Sequence, residues 1–73
     1  MGMPNNLKVG DQVAVERDMI GNLAPQPGDK MYILESGKLV SGDRANESFA
    51  KYRVHIDELR RDVCVCTVTV RMR

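Results

Sequence analysis

Tryptophan is absent from this chain of 73 residues, which has one phenylalanine and two tyrosines. A hydrophobic core must therefore be aliphatic. Histidine occurs once and cysteine twice, so a zinc ribbon is excluded by count. No apolar run approaches the about 20 residues that cross a membrane, and no signal-peptide pattern is present. With only two cysteines, this predicts a cytoplasmic protein with no membrane partner.

The short length allows one domain. A core this small yields only a few kcal/mol of net stability, which makes homo-oligomerisation a reasonable expectation. We expect residues 1–6 to be a disordered lead-in and residues 7–73 to form a single small β-rich domain.

The charges are unevenly distributed, although the net charge is only +1. Residues 1–50 contain five Lys/Arg and seven Asp/Glu, whereas residues 51–73 contain six and three. This asymmetry predicts a modest basic surface near the C-terminus.

The last eleven residues, 63–73, alternate strictly between two sets of side chains. Period-two alternation with several β-branched residues is typical of a half-buried strand. The set predicted to face the core is Cys64, Cys66, Val68, Val70 and Met72. The set predicted to point outward is Val65, Thr67, Thr69, Arg71 and Arg73.

Other segments also favour strands. Apolar residues of one parity over residues 7–15 predict a strand, interrupted at Gly10-Asp11 by a bulge or turn. Two short apolar runs, 31–34 and 39–40, flank Gly37, which can supply the positive φ of a tight turn. These runs predict a β-hairpin.

Residues 44–61 support two interpretations. A helical stripe of apolar residues favours a helix; its members are Ala45, Phe49, Tyr52, Ile56 and Leu59. Alternation over residues 51–56 favours a strand instead, which we prefer. In that register Tyr52, Val54 and Ile56 would lie opposite Val68, Cys66 and Cys64.

The strand interpretation predicts an all-β, mainly antiparallel fold. We expect a small five-stranded, partly open barrel of the SH3-like or OB-like type. The alternative is an α+β fold in which residues 44–61 form a helix on a four-stranded sheet.

Two short phrases resemble known families. The phrase LKVGDQV at residues 7–13, with YRVHIDELR at residues 52–60, resembles the ends of SH3-like barrels. Similar phrases occur in the C-terminal domains of retroelement integrases, which bind DNA. The phrase PGDKMYILESGK at residues 27–38 resembles part of cyclic-nucleotide-binding domains, whose phosphate-binding Gly-Glu segment and arginine are absent here. The two phrases imply different folds, so neither assigns a family.

No catalytic, metal or cofactor site is predicted. Cys64 and Cys66 share a strand face with Cα atoms about 6.5–7 Å apart, which suits small buried hydrophobes better than a disulfide. His55 points to the opposite face in the β register. The neighbouring acids Asp57 and Glu58 diverge in an extended segment, and no glycine follows a phosphate-loop pattern. We therefore expect no enzymatic activity.

A basic sheet face is the leading functional candidate. It predicts a small non-enzymatic binding module whose favoured ligand is nucleic acid, contacted through its phosphates. The predicted contact residues are Lys51, Arg53, Arg60, Arg61 and Arg71. No exposed aromatic residue is expected to stack on bases.

The alternative function is a structural or assembly protein, such as a virion or complex component. The segment Val63–Met72 is long, regular and free of proline. An unpaired edge on such a strand is a template for self-association or for a partner's strand. This predicts a homo-oligomer or a protein partner at the C-terminal strand.

Overall fold

The computed structural model describes residues 6–20, 24–42 and 49–72 of the chain. Within them, five strands form a single antiparallel sheet. In chain order they are β1 (Gln12–Glu16), β2 (Lys30–Leu34), β3 (Leu39–Ser41), β4 (Ala50–Leu59) and β5 (Val63–Arg71). The order across the sheet is β1-β5-β4-β2-β3, so β1 and β3 are its edges. The prediction of an all-β, mainly antiparallel fold of five strands is confirmed, and the sheet is not closed.

The α+β alternative is wrong for residues 50–59. β4 spans ten residues and pairs with β2 on one side and β5 on the other. The segment forms a strand rather than a helix because β2 and β5 supply hydrogen-bonding partners on both sides, and the alternating apolar residues of β4 can then face the core. The earlier part of the proposed helix, residues 44–48, lies outside the described residues. The described part of the chain has one 3₁₀ turn, Arg17–Met19, and no helix there is long and apolar enough to cross a membrane.

The predicted β2–β3 hairpin is confirmed. The Leu34 N–H donates to the Lys38 carbonyl oxygen at 2.9 Å, and the Gly37 N–H donates to the Leu34 carbonyl oxygen at 2.8 Å. Gly37 has a φ of 90°, a left-handed conformation that glycine adopts without the steric cost of a Cβ. The glycine therefore permits this tight connection.

A second glycine turn precedes β1. Gly10 has a φ of 97°, and its N–H donates to the Val68 carbonyl oxygen at 2.8 Å. The Asp11 carboxylate accepts a hydrogen bond from the Lys8 N–H at 2.9 Å. The predicted interruption at Gly10-Asp11 is therefore a turn that brings β1 alongside β5.

β4 continues to Leu59, three residues beyond the strand predicted for residues 51–56, and the chain reverses over residues 60–62. The expected register placed Tyr52 opposite Val68, whereas Val54 takes that place in the structure. The register prediction is thus wrong by two residues. The assignment of these side chains to the core face is confirmed, because a slip of two residues preserves parity.

Two bulges interrupt the pairing of β4 with β5. Asp57 is the extra residue on β4, and Thr69 is the extra residue on β5. Beyond Thr69 the alternation changes phase, so Val70 lies opposite the outward-facing Arg53 and is 42% exposed. The predicted core position of Val70 is wrong, and Arg71 takes the opposite parity from the one predicted, because the extra residue shifts the pattern by one.

The core lies against one face of the sheet. Its members, each at most 3% exposed, are Val15, Ile20, Met31, Ile33, Leu39, Tyr52, Val54, Ile56, Cys64, Cys66 and Val68. The partly buried Leu7, Met19 and Leu59 pack against this cluster. The Tyr52 hydroxyl accepts a hydrogen bond from the Leu7 N–H at 3.1 Å, which ties the segment before β1 to the core. Polar side chains that could contact a ligand therefore lie on the other, outer face of the sheet.

Candidate nucleic-acid interface

The outer face of the sheet carries a row of polar side chains across four strands. Directly opposed residues of antiparallel strands share a face. Lys30 lies opposite His55, His55 opposite Thr67, and Thr67 opposite Gln12. The pairing of β2, β4, β5 and β1 therefore gathers residues that are distant in the sequence.

A depression of about 410 Å³ lies at the β2 side of this row. Its lining residues are Gly28, Lys30, Arg53, His55, Thr69 and Val70. Lys30 is exposed and Arg53 is half-buried, and neither forms an ion pair with a residue that the structure describes. None of these lining residues is acidic. We call this feature the cationic depression.

The bulge at Thr69 shapes the cationic depression. It turns Val70 outward beside Arg53, so an apolar side chain lies next to the aliphatic stem of the arginine. The Thr69 hydroxyl donates to the Arg53 carbonyl oxygen at 3.0 Å, which leaves the hydroxyl oxygen able to accept a further hydrogen bond. Because Arg53 is partly withdrawn from water, it attracts an anion more strongly than a fully exposed cation does.

The bulge at Asp57 builds a polar cluster next to the depression. The Asp57 carboxylate accepts hydrogen bonds from the Thr67 hydroxyl and, at 3.3 Å, from the side-chain amide of Gln12. The other carboxylate oxygen lies 2.6 Å from Nε2 of His55. The Thr67 hydrogen bond, aided by His55 and Gln12, lowers the pKa of Asp57 despite the opposing effect of desolvation. The ionised carboxylate therefore orients His55 at the edge of the depression.

The polar cluster lacks the connectivity of a nucleophilic catalytic centre. In such centres a hydroxyl or thiol bonds to a base, and an acid orients that base. Here Thr67 and His55 both bind Asp57. The threonine hydroxyl is thus held by the acid, so the arrangement is suited to positioning side chains.

The predicted contact residues do not form one patch. Arg53 lines the cationic depression, whereas Lys51 and Arg71 line a neighbouring depression of about 340 Å³ together with Glu35. The presence of Glu35 makes the second depression less positive than the first.

Arg60 and Arg61 lie in the turn between β4 and β5. Arg60 follows Arg53 by seven residues, which corresponds to about 23 Å along a strand. Its guanidinium lies 3.3 Å from the Glu58 carboxylate. Arg60 and Arg61 are therefore remote from the cationic depression, because β4 runs three residues beyond the strand predicted for 51–56.

Two exposed residues that bear on the candidate site were not predicted from the sequence. Lys30 joins the site because β2 pairs with β4, which no local pattern indicates. Phe49 is 59% exposed, contrary to the expectation that no aromatic residue is available for stacking. Phe49 lies two residues before Lys51, at the same end of β4. The spacing of Phe49, Lys51 and Arg53 at every second residue is the sequence signal that could have identified Phe49.

The two cysteines lie in the core, away from this surface. Both thiols are free and buried, and their Sγ atoms are 3.8 Å apart. Burial raises the pKa of both Cys64 and Cys66. In the described part of the chain no three His, Cys, Asp or Glu side chains are grouped as metal ligands. The buried thiols act as small hydrophobes, as predicted.

No family model, curated protein or solved structure matches this chain. The two local resemblances, to SH3-like barrel ends and to cyclic-nucleotide-binding domains, therefore gain no support. The chemistry of the outer face remains the basis for assigning a function.

Proposed function

We propose that this protein is a non-enzymatic module that binds nucleic acid through its phosphates on the outer face of the sheet. The observation that carries the proposal is the cationic depression, where Lys30 and Arg53 converge without an acidic neighbour among its described lining residues. A concave surface that carries basic side chains, with no acid among its described lining residues, is an electrostatic footprint for phosphate.

The chemistry of the depression fits a phosphate group. The planar guanidinium of Arg53 can donate two parallel hydrogen bonds to phosphate oxygens, while the Lys30 ammonium supplies a mobile charge. The Thr69 hydroxyl offers a further polar contact. Lys51 continues the line of basic side chains along β4 towards Phe49.

The same surface favours a single strand over a duplex. Proteins that bind single-stranded nucleic acid combine a positive groove with aromatic side chains on which bases stack. The exposed Phe49 supplies such a ring at one end of the basic line. By analogy alone, small partly open sheets of the SH3-like or OB-like type are used in this way. Two free thiols suit a reducing compartment such as the cytoplasm.

The salt dependence of binding tests this proposal. Three outer-face contacts, from Lys30, Lys51 and Arg53, predict a slope of log affinity against log salt of about −2.1 for a single strand. Between 50 and 200 mM salt the affinity should then fall about 20-fold. Fluorescence anisotropy with a labelled oligothymidine of about 20 nucleotides would measure both quantities.

A matched pair of double variants locates the site. Lys30→Gln/Arg53→Gln and Arg60→Gln/Arg61→Gln each remove two positive charges, but only the first pair lies in the cationic depression. The first variant should reduce the slope to about −0.7, whereas the second should leave it close to that of the wild type. An equal loss in both variants would contradict the assigned face. Failure of the wild type to bind at low salt would contradict the function.

Assembly remains the second candidate function, but its basis changes from β5 to β1. β5 is paired with β1 on one side and with β4 on the other. The predicted template at Val63–Met72 therefore has no unpaired edge over residues 63–68. The two edge strands of the described sheet are β1 and β3, and β1 is the one that borders β5.

A further inference from the structure

β1 has an unpaired backbone edge. The Arg17 N–H donates to the Asp62 carbonyl oxygen at 3.0 Å, so the backbone groups of odd-numbered residues in β1 point towards β5. Those of Gln12, Ala14 and Glu16 must then point away from β5. The structure gives them no backbone partner among the described residues. All three residues are also exposed.

The sequence of β1 is self-complementary about Ala14. Placing a second copy antiparallel on the open edge, with Ala14 opposite Ala14, pairs Gln12 with Glu16 and Val13 with Val15. In this register the outward backbone groups of positions 12, 14 and 16 face one another, so each copy satisfies the hydrogen bonds of the other.

The charges beside β1 support the same register. Asp11 and Arg17 are equally distant from Ala14, and each is exposed. Across the two-fold axis, Asp11 of each copy lies opposite Arg17 of the other. Neither forms an ion pair with a described residue of its own chain. Among those residues, the Lys8 N–H donates to one oxygen of the Asp11 carboxylate. Opposite charges directly across a strand pair stabilise it and fix its register.

We propose that this protein forms a homodimer by antiparallel pairing of its two β1 strands. Two of the devices that prevent strand addition are absent from this edge, since residues 12–16 contain no proline and no lysine. The dimer joins two five-stranded sheets into one of ten strands and does not depend on nucleic-acid binding.

A backbone substitution tests the pairing. Ala14→Pro removes the central N–H on the open edge, where proline does not remove a bond to β5. Ala14→Thr, the matched control, keeps the N–H and favours a strand. Light scattering after size exclusion, from about 10 µM to about 1 mM, should show a concentration-dependent dimer for wild type and for Ala14→Thr. Ala14→Pro should remain monomeric.

A charge exchange tests the register without relying on proline. Arg17→Asp alone places like charges opposite each other at both ends of the pair, as does Asp11→Arg alone. Each variant should weaken dimerisation at least about tenfold. An equimolar mixture of the two should recover it, because every opposed pair then has opposite charges.

Three results would overturn the proposal. The first is a monomeric wild type at every concentration. The second is a folded Ala14→Pro protein, checked by circular dichroism, that still dimerises like the wild type. The third is a mixture of the charge variants that is no more dimeric than either alone. Should Ala14→Pro fail to fold, the charge exchange decides the outcome.

Discussion

Replacing Tyr52 with phenylalanine should destabilise the domain, because it removes the hydroxyl that accepts a hydrogen bond from the Leu7 N–H. The Tyr52 ring is 0% exposed, and its hydroxyl accepts from the Leu7 N–H at 3.1 Å across 45 residues of sequence. Phenylalanine fills nearly the same space, so the core packing stays in place. What changes is that the Leu7 N–H, which is partly buried, loses its acceptor.

The expected loss of folding stability follows from the hydrogen bond between Leu7 and Tyr52. A buried donor left without a partner costs about 1–3 kcal/mol, and partial access of water to Leu7 places the effect near the lower end. A loss of about 1 kcal/mol lowers the Tm of a domain of this size by about 4–8 °C. The segment before β1 should also open more often, because Tyr52 ties it to the core.

Tyr32→Phe is the matched control, since Tyr32 is half-buried and its hydroxyl bonds to no described residue. Its stability should lie within about 0.5 kcal/mol of wild type. Thermal unfolding gives the stability change, and amide hydrogen exchange reports protection at Leu7. The reasoning is refuted if Tyr52→Phe is as stable as Tyr32→Phe and the Leu7 amide keeps its protection.

Two further changes test the polar cluster and the hairpin. Thr67→Val removes the hydrogen bond that contributes most to the lowered pKa of Asp57, so that pKa should rise towards its ordinary value in a titration followed by NMR. A lowered carboxyl pKa stabilises the fold above the unfolded pKa, and this contribution is lost as the pH falls through the folded pKa. The stability gap between wild type and Thr67→Val should therefore narrow below about pH 4; a constant gap would argue against the assignment. Gly37→Ala should cost about 1 kcal/mol in chemical denaturation because φ is 90° there. Gly42→Ala is its control, since an added Cβ would meet the Tyr32 ring at an ordinary 3.5 Å, and equal effects at the two glycines would contradict the role given to Gly37.

The elements and faces of this fold could be predicted because each has a local cause. Alternation along β5 separates buried Cys64 and Cys66 from Thr67 without reference to the rest of the chain. Gly37 similarly marks its hairpin by backbone conformation alone. Such signals depend on the pleat and on φ, and both are properties of a few neighbouring residues.

Register and bulges could not be predicted in the same way. A slip of two residues keeps every apolar side chain on the core face, so the pattern does not distinguish Val54 from Tyr52 as the partner of Val68. The turn at residues 60–62 contains no glycine or proline to mark it. The extra residues Asp57 and Thr69 arise only when two specific strands are paired.

The candidate site was only partly predictable for the same reason. Arg53 was identified from its own strand, but Lys30 joins it through the pairing of β2 with β4. Arg60 and Arg61 were included because the end of β4 was placed too early. A surface assembled across strands thus depends on strand order, which a single sequence specifies only through the whole fold.

The proposed nucleic-acid site lies on the outer face of the sheet, whereas the proposed dimer forms through the edge of β1. The two are geometrically compatible. A two-fold axis between antiparallel neighbours is perpendicular to the sheet, so a dimer through β1 would present both outer faces on the same side. Five inter-strand steps separate the two β4 strands, which is about 24 Å along the sheet. Three phosphate contacts give one subunit only a weak, salt-sensitive affinity. A single nucleic-acid strand that reaches both faces would bind its second site intramolecularly, and the resulting gain in affinity needs no additional contact residue.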